Sequence, residues 1–227
     1  MTDLGTLIGR YVRPAVKAAG LGESAAGFHL EGGNGDRVIL AFQPYEFDEG
    51  ESFEVFFVTV PRSYWDWVTR DAPGSGEPDA GGAVARCDIA PPPGLGFVFD
   101  EDDDDEDDDE DDDDGWEDDG VGDPYAHHWA LSDDDDLRRC GPALARLLQE
   151  RYIPLMRRLL DREAQSAAVL DPDTEVGPLK ARDLVTAFLR VDDAGPAELE
   201  SLLSAIAPDT PNRTALTGWL RDRGSRT

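Results

Sequence analysis

Lysine is almost missing from this chain. Of 21 basic residues only Lys17 and Lys180 are lysines, and the rest are arginines. That bias, beside abundant Ala and Gly, is what a high-GC bacterial genome produces. Cysteine is scarce too: Cys87 and Cys140 build neither a disulfide framework nor the spacing of a metal site. They read as reduced thiols of a cytoplasmic protein. The longest strongly apolar run, residues 55–60, is far too short to span a bilayer. The first twenty residues carry Asp3, Arg10, Arg13 and Lys17 and no long apolar block, so no secretory signal is expected. Basic residues are wholly absent between Asp100 and Asp136. An excess of acid argues against nucleic acid as a partner, because phosphates must be neutralised by cations.

What is present in that gap is acid. Residues 100–114 are all Asp or Glu, and 23 acidic residues stand between Asp100 and Asp136. Removing them from a net charge of -29 leaves the rest of the chain at -6. The acidity is therefore one local insertion in a nearly balanced sequence. At 227 residues and 40% hydrophobic, that sequence can hold one sizeable core. Adjacent carboxylates repel one another and bury nothing, so the insertion, residues 99–124, is expected to be a solvated, disordered loop. It is not an EF-hand. With Gly115 at the sixth position of such a loop, Glu110 takes the first and Val121 the twelfth, where a bidentate acid is needed.

Before the insertion the chain reads mainly as strands, and after it as helices. Leu4, Leu7, Ile8, Tyr11, Val12, Ala15 and Val16 form one helical stripe. Pro14 should kink that helix or mark a weak turn, and Gly20 and Gly22 stop it. A short strand over 28–31 leads through Gly32, Gly33, Asn34 and Gly35 into a hairpin. Val38, Leu40 and Phe42 then share one face of a strand over 37–43. Residues 52–60 are apolar on both faces, the pattern of a covered central strand, and Pro61 ends it. A short helix or turn over 63–68 follows. The strand over 83–89 points Ala83, Ala85, Cys87 and Ile89 inward. Residues 95–99 supply a last strand fragment, and 127–131 a further strand. Either Ser132 caps the next helix, with acids in its first turn, or Pro142 opens it. Leu144, Leu147, Leu148, Tyr152, Leu155, Met156 and Leu159 line that helix, and Pro154 must kink it. Beyond Asp171 come three short helices, carrying Leu184, Val185, Phe188 and Leu189, then Leu199, Leu202, Leu203 and Ile206, then Leu216, Trp219 and Leu220.

The expected fold is α+β: an antiparallel sheet of four to five strands, packed by the first helix and the long kinked helix. Residues 1–170 form the α+β domain with its insertion. Residues 171–227 form a C-terminal helical extension that docks on it or makes a small subdomain.

Several pieces together resemble the domain of unknown function 4304 family. They are Val12-Arg13-Pro14-Ala15-Val16-Lys17, the strand at Phe28, the strand from Arg37 ending in Gln43, and residues 53–60. Cys87-Asp88-Ile89, His128-Trp129-Ala130-Leu131 and Tyr152-Ile153-Pro154-Leu155 complete the set, over residues 4–161. The chain departs from the family where Pro91-Pro92-Pro93-Gly94-Leu95-Gly96 follows the cysteine strand, and where the acidic insertion replaces a short connection. The resemblance implies an α+β domain without an assigned activity, so it assigns no catalytic residue.

No cofactor or metal is expected. His127 and His128 are neighbours on a strand and face opposite ways, and their spacing to His29 and the cysteines matches no metal motif. A Cys/His nucleophile pair lacks any activating neighbour in sequence. Tyr64, Trp65 and Trp67 read as packing rather than a ligand cage, and Gly32–Gly35 lacks the Lys and helix of a phosphate loop. The kinked helix, with seven arginines against three acids over 137–163, could be the acidic run's own counterion. The functional reading is a non-enzymatic binding or regulatory protein whose acidic loop recruits a basic protein. Asp102, Asp104, Glu106, Asp108, Glu110, Asp112 and Asp114 are the candidate contacts. The alternatives are a nucleic-acid mimic or toxin-neutralising protein, and an enzyme with an unrecognised pocket.

Overall fold

The computed structural model describes residues 4–47, 50–72, 76–97 and 126–226. The protein is α+β, built on one antiparallel sheet. Its strands are β1 (Gly22–Ser24), β2 (Gly27–Glu31), β3 (Arg37–Phe47), β4 (Gly50–Val60), β5 (Ala85–Asp88), β6 (His128–Ala130) and β7 (Gly177–Pro178). The spatial order is β1-β2-β3-β4-β5-β7, and β6 pairs with β4 beyond the end of β5. Two short edge strands, β1 and β7, bring the expected four or five to seven.

Helix α1 covers 4–18 and α3 covers 134–158, each with a prolyl residue in its second half. Both meet the same backbone problem in the same way. Pro lacks an N–H and disfavours α geometry in the residue before it. In α1 a π-helical turn, Ile8–Val12, precedes Arg13-Pro14, and the Arg13 N–H reaches back to the Ile8 carbonyl. In α3 a π-helical turn, Leu148–Tyr152, precedes Ile153-Pro154, and the Ile153 N–H bonds the Leu148 carbonyl. One extra residue per turn absorbs each proline. The start of α3 is also decided: Asp133 caps it, its Oδ1 accepting the N–H groups of Asp135 and Asp136 at 2.8 Å, and Pro142 lies inside.

Both helices lie on the inner sheet face, over Val38, Leu40, Phe53, Val55, Phe57 and Cys87. On the outer face, Ile39, Val58, Val60 and Ala83 pack with Trp65 of α2 (Arg62–Val68). So β4 is covered on both faces over its second half, as its sequence implied. The strand over 83–89 is shorter than read. Ala85, Cys87 and Ile89 enter the inner core as read. Ahead of the strand, after a 3-10 turn, Ala80–Gly82, held by Asp79 Oδ1 on the Gly81 N–H, Val84 also enters the inner core and Ala83 joins the outer cluster instead.

The C-terminal elements are α4 (Arg162–Leu170), α5 (Arg182–Arg190), α6 (Pro196–Ala205) and α7 (Arg213–Gly224). They share the inner core: Phe188 meets Tyr64 edge-on at 4.9 Å, and Trp219 meets Trp67 at 5.8 Å. An ionic network ties these helices to the β2–β3 turn. Arg162 donates Nε and Nη2 to both Asp36 oxygens at 2.7 and 2.9 Å, and Nη1 to Asp192 at 2.7 Å. Arg223 joins Asp192 to Asp66 of α2.

Burial alone would raise the Asp192 carboxyl, but the hydrogen bonds of Arg223 and Arg162 outweigh it and hold its pKa below the usual range. A depressed folded-state pKa contributes stability that is full above the unfolded value, about 4. That contribution is lost as pH falls through the folded value. Thermal unfolding followed below pH about 4 should therefore show a drop in stability that is blunted in Asp192→Asn. An unchanged acid limb in that variant would show that the network does not depend on this charge.

Candidate functional site

Residues 98–125 lie outside the described residues, and with them the insertion 99–124 and all seven candidate contacts from Asp102 to Asp114. What the structure describes is the place where the acidic segment leaves and rejoins the body. The two ends are paired. Phe97 N–H donates to the His128 carbonyl at 2.9 Å, Ala130 N–H donates to the Leu95 carbonyl at 3.2 Å, and Gly96 bridges Trp129. The residues read as a strand fragment over 95–99 thus contribute one antiparallel bridge, on the free side of β6.

Trp129 fixes this base. Its ring is wholly buried, stacks on Phe53 at 6.1 Å and donates Nε1–H to the Ile89 carbonyl at 2.7 Å. Arg139 of α3 donates to the Gly94 carbonyl at 2.6 Å and braces the outgoing arm. With both ends closed by body contacts, the segment between them is not needed to bring them together. Replacing 100–119 by a short Gly/Ser linker should leave stability in water within about 1 kcal/mol, since loop-closure entropy changes only slowly with length. A loss of several kcal/mol at low salt, recovered only by restoring the acids, would make the run part of the fold.

Beside the base, the outer face of β4 carries a polar cluster that sequence reading missed. The first half of β4 is apolar only inward; outward it presents Ser52 and Glu54, where both faces had been expected apolar. The Ser52 hydroxyl and His128 Nδ1 are 2.9 Å apart, and His128 Nε2 lies 3.4 Å from Glu54 Oε1. Glu54 Oε2 accepts Arg86 Nη2 at 2.9 Å and the Tyr45 hydroxyl at 3.2 Å. Arg86 lies over the Phe56 ring at 3.9 Å and donates Nε to Asp88 at 2.6 Å. The clue was the i, i+2 spacing of Ser52 and Glu54, but their partner His128 stands 76 residues further on.

Ser, His and Glu in this order resemble a nucleophile, a base and its orienting acid. The chemistry does not follow. Ser52 is 1% exposed, so no substrate carbonyl reaches its oxygen, and Glu54 is already engaged by Arg86 and Tyr45. The cluster is a mutually satisfied polar network.

The thiols are equally unsuited to attack. Burial pushes Cys87 up to about 12 and Cys140 up to about 11, so neither is a thiolate near neutral pH. Among the described residues, no group of three or more His, Cys, Asp or Glu could hold a metal ion. Tyr64, Trp65 and Trp67 are packing residues. Six of the seven arginines over 137–163 already have described partners: Arg138, Arg139, Arg146, Arg151, Arg157 and Arg162. Among the described residues, no helix is long and apolar enough to cross a membrane.

These features define a class: an α+β protein whose acidic insertion is rooted on the edge of an antiparallel sheet. No family model, no curated protein and no solved structure matches the chain.

Proposed function

We propose that this is a non-enzymatic binding or regulatory protein that recruits a basic protein through its acidic segment. The observation that carries the reading is the isolation of charge: residues 100–114 are uninterrupted acid, in a chain that is otherwise close to balance. Membership of the domain of unknown function 4304 family, a bacterial cytoplasmic setting and the absence of nucleic-acid binding belong to the same proposal. The paired base supports it, because the described residues on either side of the acidic segment, Phe97 and His128, are joined by a hydrogen bond. The thiols and the Ser52–His128–Glu54 cluster support it from the other side, since neither is equipped for catalysis.

Binding of this kind is electrostatic. Exposed charges are screened over about 8 Å at physiological ionic strength. Calorimetric titration with poly-lysine should therefore give an affinity that falls steeply between low and high salt, and duplex DNA should not bind. Salt-insensitive poly-lysine binding, or comparable affinity for DNA, would sink the reading. Tight capture of a DNA-binding protein in competition with DNA would favour a nucleic-acid mimic instead.

A further inference from the structure

β3 outruns its neighbour on one side. All of it, Arg37–Phe47, is in register with β4, but among the described residues β2 pairs only with residues 37–40. β2 begins at Gly27, where the chain has just turned in from β1; its φ is 123° and a Cβ there would strike the Leu40 carbonyl. Beside residues 41–47 no described strand continues the lane of β2.

The ladder fixes which backbone groups face that lane. A strand residue turns its N–H and C=O to one side, and successive residues alternate. In β4 the carbonyls of Glu51, Val55 and Thr59 accept the N–H groups of Leu131, Ile89 and Val84, so these residues face away from β3. Ser52, Glu54, Phe56 and Val58 face β3 instead, in register with Tyr45, Gln43, Ala41 and Ile39. Phe42, Pro44 and Glu46 therefore turn outward, on the side where Val38 and Leu40 meet β2. Proline sits where a missing N–H costs no ladder bond. The N–H groups of Phe42 and Glu46, and the carbonyls of all three residues, have no strand partner among the described residues.

Side chains give the lane a character. Phe42 meets Phe28 edge-on at 6.3 Å, and with Ile8 of α1 they line a groove of about 280 Å³ at the near end. Arg13 flanks this end and shares Glu23 with Lys17. At the far end Glu46 stands directly opposite Glu51 on the same face. Like charges so placed repel, and neither has an ion pair among the described residues. The acids in the first turn of α3 are served differently, since Asp134 and Asp135 pair with Arg138.

We propose that this open edge of β3 takes up an extended segment of a basic partner protein as an added antiparallel strand. The backbone of the segment bonds Phe42, Pro44 and Glu46. An aliphatic side chain in register with Phe42 enters the groove. A Lys or Arg in register with Glu46 lies in one row with Glu46 and Glu51 and neutralises the pair. This contact goes beyond the electrostatic reading above and needs no residue of the acidic segment. A second copy of the chain fits worse. Two equivalent edges crossing at Pro44 set proline against proline with no N–H between them, and bring together two chains of net charge -29.

The test titrates the isotope-enriched full chain with a capped peptide, Thr-Lys-Thr-Val-Thr-Val-Thr. Exchange of the Phe42 and Glu46 amides should slow about tenfold at saturation, while Ala41 and Gln43, already bonded to β4, change little. Methylating the backbone nitrogens of the Lys and the final Val keeps every side chain and charge, and should abolish both binding and protection. Glu46→Gln with Glu51→Gln should weaken the Lys peptide about fivefold and leave a peptide with Thr in place of Lys unaffected. The methylated comparison uses the natural chain, so it decides the question even where that variant folds poorly. Equal binding of the methylated peptide, or no protection at about 1 mM peptide, overturns the added strand. Phe42 and Glu46 amides that exchange as slowly as Gln43 before any peptide is added overturn it too, and a dimer in sedimentation would then assign the edge to a second copy. Poly-lysine binding that leaves these amides unprotected upholds the acidic-segment reading alone. Protection by the peptide in a chain that ignores poly-lysine upholds the edge alone.

Discussion

Removing Arg162 should be among the most destabilising single changes available in this protein. The guanidinium is almost buried, and Asp36, which receives two of its hydrogen bonds, is 2% exposed. Burial would lower the Arg162 pKa, but the hydrogen bonds and charge of Asp36 and then Asp192 outweigh it and raise the value, so the side chain stays charged. Arg162→Met leaves the Asp36 carboxylate with only the Asn34 amide and the Arg62 N–H, in a place water does not reach. Breaking a buried pair from one side costs about 3–5 kcal/mol, and equilibrium denaturation should show a loss of that order. Arg162→Lys should recover little, because a single ammonium cannot replace a fork that spans two Asp36 oxygens and Asp192. The pairing of Arg162→Met with Asp36→Asn should be far less than additive. A loss below about 1 kcal/mol in Arg162→Met, the range of exposed ion pairs, would show that the network is decorative.

Trp129→Ala should cost a similar amount for a different reason. The wholly buried indole fills the space between Phe53 and the Ile89 carbonyl, and its loss leaves both a cavity and an unpaired acceptor. Large-to-small substitutions of buried aromatics cost about 3–5 kcal/mol. Trp129→Phe keeps most of the volume and loses the Nε1–H bond, so it should cost about 1 kcal/mol in hydrogen bonding plus a smaller packing penalty. The alanine variant should also loosen the base of the acidic segment. Amide exchange at Phe97 and Ala130, whose N–H groups close that base, should accelerate more than exchange in β3. An unchanged unfolding midpoint in Trp129→Ala would mean that the ring does not support the sheet edge.

Much of the architecture was readable locally. The stripe from Leu4 to Val16, the hairpin around Asn34 and the double-sided apolar run after Val55 are patterns of spacing within one short stretch of chain. Backbone geometry converts such patterns directly into helix, turn and central strand. Even the two prolines, Pro14 and Pro154, were legible as interruptions, although not as the π turn that precedes each one. The candidate site was legible only as charge. Nothing about residues 100–114 in isolation says where they are mounted.

The sequence by itself determined the α+β class, the apolar stripes of α1 and α3, and the separation of one acidic run from a nearly balanced remainder. These follow from local spacing and from charge counting, which need no knowledge of distant contacts. Tertiary structure alone decided that Asp36, in what looked like an ordinary polar turn, is buried against Arg162 at a separation of 126 residues. It also decided that Ser52, Glu54 and His128 satisfy one another, and that Val84 rather than Ala83 enters the inner core. A buried charge is tolerable only beside its opposite, and a residue just outside a strand takes the face that packing offers it. Both depend on which parts of the chain meet in space, and that is settled when the sheet and its helices close on one another.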